Sequence, residues 1–399
     1  MGDILFLAHR VPFPPDRGDK IRSYHQLVHL ARSHRVHLIA FADDPRDLAH
    51  GAALDDLVAS HRILPRTKGR ARAAAEALAT GRPVSLTAFA DPAMRAAVDA
   101  VLSREPIDAI FVYSGQMAQY LPASGGPRVI MDFVDMDSAK FGDYAATARG
   151  PMAWMMQREA RMMQAFEAAI ADRVEASLFV SDAEAALFRQ RTGASRVHAI
   201  ENGIDTVRFD PATVQPVGGA GPLVVFTGQM DYRPNVDAVS WFARSVMPAI
   251  RGRVPDTRFA IVGRAPTDTV RALGDLPGVE VTGEVPDTRG WLAAASVVVA
   301  PLAIARGVQN KVLEAMAMAR PVVVSPAAAQ GIDHGGTIRI ADGVDATVSA
   351  VTALIGDPAA ALLGRRAREQ VIARYGWAAR LAPLDALLSL APDRARDAA

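Results

Sequence analysis

Lys311 and Glu314 stand three residues apart in the segment Ala300-Pro-Leu-Ala-Ile-Ala-Arg-Gly-Val-Gln-Asn-Lys-Val-Leu-Glu-Ala-Met-Ala-Met-Ala-Arg-Pro-Val-Val-Val. The pattern is an apolar run, a polar loop with a glycine, a stretch suited to a helix, and a second apolar run. Gly307 frees that loop to approach a phosphate closely. The helix behind it, opened by Gln309 and Asn310, directs its first N–H groups and the positive end of its dipole the same way. Lys311 would neutralise a diphosphate. Glu314 falls on the same helix face, where its two oxygens would accept hydrogen bonds from both hydroxyls of a ribose. An i,i+3 ion pair on a solvated helix accounts for the same two residues, so the neighbouring segments must decide.

A second segment, Phe226-Thr-Gly-Gln-Met-Asp-Tyr-Arg-Pro-Asn, puts Gly228 at a strand end and Arg233 and Asn235 at the opening of a helix. It suits a clasp for a phosphate or base, and equally an ordinary capped turn. Val262-Gly263-Arg264, Thr282-Gly283-Glu284 and Gln330-Gly331-Ile332 repeat the strand-then-glycine arrangement. In the first half, Val11-Pro-Phe-Pro-Pro-Asp-Arg-Gly-Asp-Lys-Ile-Arg is a proline-stiffened loop reaching Gly18, followed by Asp19 and Lys20. Asp132, Asp135 and Asp137 follow another apolar run, with Lys140 three residues on. Asp135-Met-Asp137 fits a metal-binding D-x-D pattern, and Asp137 or Ser138 fits a helix cap. Only four Lys and three Asn occur in the chain, so Lys311, Asn235 and Asn310 stand out in a composition that disfavours both types.

These loops need a frame. Short unbroken apolar runs recur at Ile4 to Ala8, Val36 to Phe41, Ile107 to Tyr113, Val129 to Val134 and Ala176 to Val180. They recur again at Leu223 to Thr227, Arg258 to Val262, Val279 to Thr282, Ser296 to Ala300 and Pro321 to Val324. Runs without polar alternation suit parallel strands covered on both faces, and helices are expected between them, at 236 to 251 and 308 to 319 among others. Two such arrays in 399 residues predict two α/β domains, at 1–205 and 223–375, joined by a linker at 206–222. Within that linker, Pro211 to Pro222 is the expected hinge. Trp377, Leu381, Leu384, Leu387 and Leu388 form an apolar stripe on a helix expected at 376–392, ahead of a frayed tail at 393–399.

Composition removes several classes. The 44 basic and 43 acidic side chains nearly cancel, which speaks against nucleic acid as a partner. The absence of Cys excludes disulfides, thiolate nucleophiles and zinc-thiolate sites. No strand is followed by G-x-G-x-x-G, which speaks against a dinucleotide-dependent dehydrogenase. The opening Met-Gly-Asp with its short apolar run reads as a strand and not a signal peptide, so the expected compartment is the cytoplasm. Arg66, Lys68, Arg70 and Arg72, with Trp154, Met155 and Met156, suit either a solvated face or a peripheral contact at the inner face of the membrane.

Ile200-Glu-Asn-Gly-Ile-Asp-Thr-Val-Arg-Phe, the Phe226 to Asn235 segment and Lys311-Val-Leu-Glu-Ala-Met-Ala-Met-Ala-Arg-Pro-Val-Val resemble the retaining family 4 glycosyltransferases of GT-B fold. More narrowly, Arg10-Val-Pro-Phe-Pro-Pro, Gly18-Asp-Lys-Ile-Arg and Asp132-Phe-Val-Asp-Met-Asp-Ser-Ala-Lys-Phe resemble bacterial sugar transferases associated with PEP-CTERM and exosortase systems. The resemblance implies two Rossmann-like parallel-sheet domains facing a cleft, with the last helix crossing back to the first domain. It implies a nucleotide sugar held by Gly228, Arg233, Asn235, Gly263, Gly307, Gln309, Asn310, Lys311 and Glu314. It also implies a glycan or lipid-linked acceptor near Gly18, Asp19, Lys20 and Lys140, and neither cofactor nor metal. Glu314 matches the second Glu of the family's E-x7-E pattern, while Arg306 stands where the first would be. Gln229 stands at a position where the family usually places an Arg, so Arg306, Lys311 and Arg233 are the expected replacement charges. Asp135 falls where many relatives carry a His near the reacting carbon, so Asp135, Arg306 and Lys311 are the expected catalytic set. An epimerase or hydrolase of the same fold, or a nucleotide-sugar-binding protein without turnover, would share most of these residues.

Overall fold

The computed structural model describes residues 2–15, 18–123, 125–305 and 308–389. The chain divides into two units, one of residues 1–202 with 381–399 and the other of residues 203–380. Both are α/β with all-parallel sheets. The first holds seven strands: β1 (Asp3–Ala8), β2 (Arg35–Ala42), β3 (Ser60–Pro65), β4 (Ile107–Tyr113), β5 (Arg128–Val134), β6 (Ala176–Phe179) and β7 (Val197–Ala199). Their order across the sheet is β3-β2-β1-β4-β5-β6-β7. The second holds β8 (Leu223–Thr227), β9 (Arg258–Val262), β10 (Val279–Gly283), β11 (Val297–Ala300), β12 (Val322–Val324) and β13 (Arg339–Ile340). Here the order is β10-β9-β8-β11-β12-β13. Each order reverses direction beside the first strand of its unit, and such switch points are where open parallel sheets leave room for ligands beyond the carboxyl ends of their strands.

The apolar runs became strands because helices cover both sheet faces. β1, β8 and β11 are buried from end to end, so no position could alternate to polar without a desolvation cost. Three strands lacked that signal. β3 reads Ser-His-Arg-Ile-Leu-Pro at a sheet edge, while β7 and β13 have only three and two residues. The helix expected at 236–251 is three pieces, Arg233–Trp241, a π-helical turn Phe242–Val246, and Met247–Arg253. Pro248 has no N–H for the α-helical ladder, and the wider turn before it accommodates that gap.

The expected hinge is not a free linker. Val217 N–H donates to the Gly290 carbonyl at 3.1 Å, and the side chains of Val214 and Val217 pack on the core of the second unit. A Cβ on Gly221 would lie 2.5 Å from the Asp256 carbonyl oxygen, so this proline- and glycine-rich stretch is fitted closely against the domain it precedes. The boundary falls earlier, between Asn202 and Gly203. The C-terminal helix spans Trp377–Ser389, and its stripe is buried at Trp377, Leu381 and Leu384. From Leu381 onward it groups with the first unit, where Arg128 Nη2 donates to the Leu387 carbonyl at 3.2 Å and to that of Leu388. His29 Nε2 lies 2.7 Å from Asp385 Oδ1. The expected tail, 393–399, lies outside the described residues.

A buried ion pair sits at the centre of the first unit. Arg22 Nε donates to Asp132 Oδ2 at 2.9 Å, with the two side chains 1% and 0% exposed. Arg22 Nη1 also donates to the Ile200 carbonyl at 2.7 Å and to Asn202 Oδ1 at 3.0 Å, tying the first helix, Gly18–Ala31, to the last residues before the boundary. Gln26 donates to the same Asp132 oxygen, and the Val134 N–H donates to Asp132 Oδ1 at 2.9 Å. Removing one member of such a pair strands the other charge away from water. Arg22→Met is therefore expected to cost about 3–5 kcal/mol, read as a lower urea midpoint for the first unit; an unchanged midpoint would contradict this role.

Candidate functional site

The second unit carries a hollow of about 670 Å³ at the carboxyl ends of its strands. Four stretches enclose it. Thr227 ends β8 and Gly228 and Gln229 follow it, Val262 ends β9 and Gly263 and Arg264 follow it, Glu284, Val285 and Thr288 follow β10, and Val308 to Lys311 with Glu314 come from the helix Asn310–Ala317 and its approach. Tyr232 and Asn235 complete the wall from the next helix start. Of the residues expected to hold a nucleotide sugar, Gly228, Asn235, Gly263, Gln309, Asn310, Lys311 and Glu314 are brought together here.

Two glycines are required by contact. A Cβ on Gly263 would sit 1.7 Å from the Gly228 carbonyl oxygen, because the turns after β8 and β9 are pressed against each other. A Cβ on Gly228 would lie 2.8 Å from Asn235 Nδ2 and 3.1 Å from Lys311 Nζ. Close backbone approach lets the lysine cross under the first turn. Asn235 is buried and fixed, donating from Nδ2 to the Gln229 carbonyl at 2.9 Å and accepting from Lys311 Nζ at 2.5 Å.

Lys311 has neutral company. Beyond Asn235, its ammonium lies 4.2 Å from the centre of the Phe226 ring, and no carboxylate among the described residues lies within ion-pairing distance. Burial lowers its pKa to about 8, with the charge of Glu314 acting in the opposite direction. Burial raises the Glu314 carboxyl to about 7, opposed by Lys311 and Arg208. An exposed i,i+3 ion pair would show neither shift. Both groups are withdrawn from water without a full counter-charge, as suits groups kept for an incoming partner.

Other expected positions differ. Arg233 is 92% exposed on its side chain, faces Asp237 at 3.7 Å, and does not line the hollow, because the first residue of its helix points outward. Arg264 lines it instead and donates to Gln229 Oε1 at 3.1 Å, so the side chain standing in place of a cation is itself bound to one. Arg306 and Gly307 lie outside the described residues. Arg264 and Glu284 carried a signal, the strand-then-glycine pattern; Thr288 and Val285 carried none, since only the fold brings the loop after β10 to this wall.

In the first unit, the carboxyl edge of the sheet gathers His9, Asp19, Tyr113, Asp135 and Asp137. His9 Nε2 lies 3.5 Å from Asp19 Oδ2 and its ring stacks on Tyr113 at 5.6 Å between centres. Asp135 is exposed, directly after Val134, whose φ of 72° turns the chain sharply at the strand end. Asp137 accepts from Gln116 Nε2 at 3.0 Å, and burial raises its pKa, with Asp135 adding and Lys140 opposing. Lys140 is exposed on the helix Asp137–Thr147, and Gly18 opens the first helix. Lys20 is not available to an acceptor. Its ammonium is buried and bound to Asp47 at 2.7 Å, so it is spent on structure. Asp19 is held by Arg10 and His9, which keep its carboxylate well below the ordinary range against the opposing effect of burial.

Two Rossmann-like parallel-sheet domains, with a glycine-rimmed cationic hollow in the second, define the architecture of GT-B glycosyltransferases. Solved structures of that kind align along nearly the whole chain. Sucrose-phosphate synthase from Thermosynechococcus elongatus matches at a TM-score of 0.56 with 19% identity, covering 98% of each chain. HepE from Anabaena in complex with UDP matches at 0.58 with 15% identity, covering 97% of this chain and 99% of that one. Residues 221–357 match the family model described as Glycosyl transferases group 1. The GDP-mannose-dependent alpha-(1-6)-phosphatidylinositol monomannoside mannosyltransferase of Mycolicibacterium smegmatis is 34% identical over 214 residues, 47% of this chain and 54% of that protein. The chain thus spans about half the length of that curated relative.

Filling the contact between the two turns tests the site's geometry. Gly263→Ala is expected to lower stability by about 1–3 kcal/mol through overpacking, and to weaken nucleoside-diphosphate binding at least tenfold by displacing the Gly228 turn. Calorimetric titration alongside a melting curve checks both, and native affinity would show that the turn is not part of the site.

Proposed function

We propose that this chain is a glycosyltransferase that moves a sugar from a nucleoside-diphosphate sugar to a glycan or lipid-linked acceptor. The observation that carries this reading is the half-buried, uncompensated Lys311 beside Glu314 at the mouth of the Gly228 and Gly263 turns. Loss of a nucleoside diphosphate builds negative charge on the leaving oxygen. A desolvated ammonium and the N–H groups opening the Asn310–Ala317 helix, fixed in advance, meet that charge without solvent reorganisation. Glu314 takes the ribose hydroxyls, and Arg264 adds positive charge at the rim. Asp135, exposed at the carboxyl edge of the first sheet, is assigned to the reacting centre, where it orients the acceptor hydroxyl or stabilises oxocarbenium charge. No cofactor or metal is part of this scheme.

The finer reading rests on likeness. Retention follows the family 4 resemblance, and a role in bacterial exopolysaccharide or envelope glycan synthesis follows the resemblance to PEP-CTERM and exosortase-associated transferases. A lipid-linked acceptor is supported by the phosphatidylinositol mannoside named for the mycobacterial relative, and a nucleotide-sugar donor by the UDP held in the HepE structure. No single helix among the described residues is long and apolar enough to cross a membrane, while Met152 and Trp154 are exposed on the helix Gly150–Arg173. These two side chains are the proposed apolar part of a peripheral contact with the inner face of the cytoplasmic membrane.

The pH dependence tests the assignment of Lys311. Its protonated form binds the diphosphate, so affinity for UDP or GDP is expected to fall as pH rises through about 8, and that fall is lost in Lys311→Ala, where only the titration of Glu314 remains and binding is at least tenfold weaker. Calorimetric titrations between about pH 6.5 and 9.5 decide it, and a native-like profile in the variant would remove Lys311 from the site. For Asp135→Asn, transfer to acceptor is expected to slow at least a hundredfold while nucleotide affinity holds, measured by product formation with and without glycan. Full turnover would remove Asp135 from the reacting centre, and donor consumption independent of acceptor would favour a hydrolase or epimerase.

A further inference from the structure

The first unit carries a second cationic hollow, of about 510 Å³, lined by Lys68, Arg72, Arg82 and Arg95 together with Glu76 and Asp91. It lies at the carboxyl edge of the seven-stranded sheet. Lys68 follows β3, Arg95 sits in the first turns of the helix Pro92–Arg104, and Gln119 and Tyr120 close the wall beyond β4. Ligands of open parallel sheets bind at this edge. Four cations from separate segments therefore face one space with two carboxylates among them, which leaves a surplus of two positive charges.

Neither carboxylate is free to cancel the surplus. Glu76 is bound to Lys68 at 2.7 Å, and Asp91 caps its helix by accepting from the Ala93 N–H at 2.7 Å. Three of the cations, Lys68, Arg82 and Arg95, are also held in place by hydrogen bonds, whereas Arg72 is exposed. Arg95 donates to the Tyr120 carbonyl at 2.6 Å and to that of Gln119, and its guanidinium lies 5.2 Å from the centre of the Tyr120 ring. Arg82 Nη2 donates to Gln119 Oε1 at 2.8 Å, while Gln119 Nε2 is tied to the carbonyls of Leu86 and Gln116 at 3.0 and 2.8 Å. Those bonds use both Nε2 hydrogens of Gln119 and leave Nε and Nη1 of Arg82 for another acceptor. Arg72 donates to no described residue, although its charge is felt at Glu76. A preset guanidinium at Arg82 and an unengaged one at Arg72, both with spare N–H donors, match the oxygens of a phosphate.

We propose that this hollow binds a phosphate ester, with Arg72 and Arg82 donating to its oxygens and Lys68 and Arg95 completing the field. The site belongs to the first unit alone and stands whether or not the second takes a nucleotide. The phosphate is carried either by a soluble ester or by an anionic lipid headgroup, and the recognising chemistry is the same.

The test uses the full chain with Lys311→Ala, which silences the other cationic site. Glycerol 3-phosphate is titrated by calorimetry, and co-sedimentation is measured with vesicles of phosphatidylcholine alone and with about one-third phosphatidylglycerol. Adding Arg72→Gln and Arg82→Gln together is expected to weaken glycerol 3-phosphate or anionic-vesicle binding at least tenfold, with the melting temperature held. Loss confined to the soluble probe assigns a soluble ester, loss confined to vesicles assigns a headgroup, and loss of both assigns the phosphate irrespective of its carrier. Binding within twofold of the parent, no binding of either probe by the parent, or an equal loss on Arg365→Gln with Arg366→Gln, two exposed charges of the other unit, would overturn the proposal.

Discussion

The second unit is organised around a positive charge held out of water with no negative partner. Lys311 rests on the ring face of Phe226 and on the amide oxygen of Asn235, both neutral, and Glu314 is too far for an ion pair. Such a charge raises the free energy of the empty protein and lowers it again when an anion arrives. The surroundings follow from that constraint. The residue under the ammonium must be aromatic, the residue beside it a small neutral acceptor, and the turn above it a glycine. Replacing Asn235 by a carboxylate would relieve the lysine permanently and spend the charge.

Lys20 shows what that alternative looks like. It is equally scarce in type and more deeply buried, but Asp47 neutralises it at 2.7 Å, and it serves only to hold the first helix to the loop after β2. Arg22 and Asp132 extend the same logic at the centre of the first unit. Lys20 and Arg22 are deeply buried and paired with carboxylates, while Lys311 is partly buried and has none, and that difference in company decides whether a charge supports structure or awaits a ligand.

Much of this was legible in the chain itself. Unbroken apolar runs mark β1, β8 and β11 because parallel strands covered on both sides tolerate no polar alternation, and spacing places Lys311 and Glu314 on one helix face. What was hidden depended on pairing across distance. β3 is polar because it is an edge strand, and it counts as a strand only because β2 lies beside it. Arg233 looked like a phosphate ligand from its neighbours in sequence, yet Arg264, thirty-one residues on, supplies the guanidinium at the wall, because the turns after β8 and β9 meet in space. The stretch before β8 read as a hinge from its prolines and glycines, whereas those glycines allow it to lie flat on Asp256 and its neighbours. Composition does not distinguish a loop that is loose from one that is tightly laid.

The path of the backbone sets a timetable for synthesis. The first unit contains residues 1–202 but also the end of the helix Trp377–Ser389, whose carbonyls receive Arg128 and whose Asp385 meets His29. A ribosome delivers that piece only after the entire second unit has emerged, so the earlier-made domain waits without its closing helix until the second unit has been made. Fragments ending near Asn202 lack that helix permanently, and a version of that domain with its contacts complete would need the closing helix supplied by a short artificial connection.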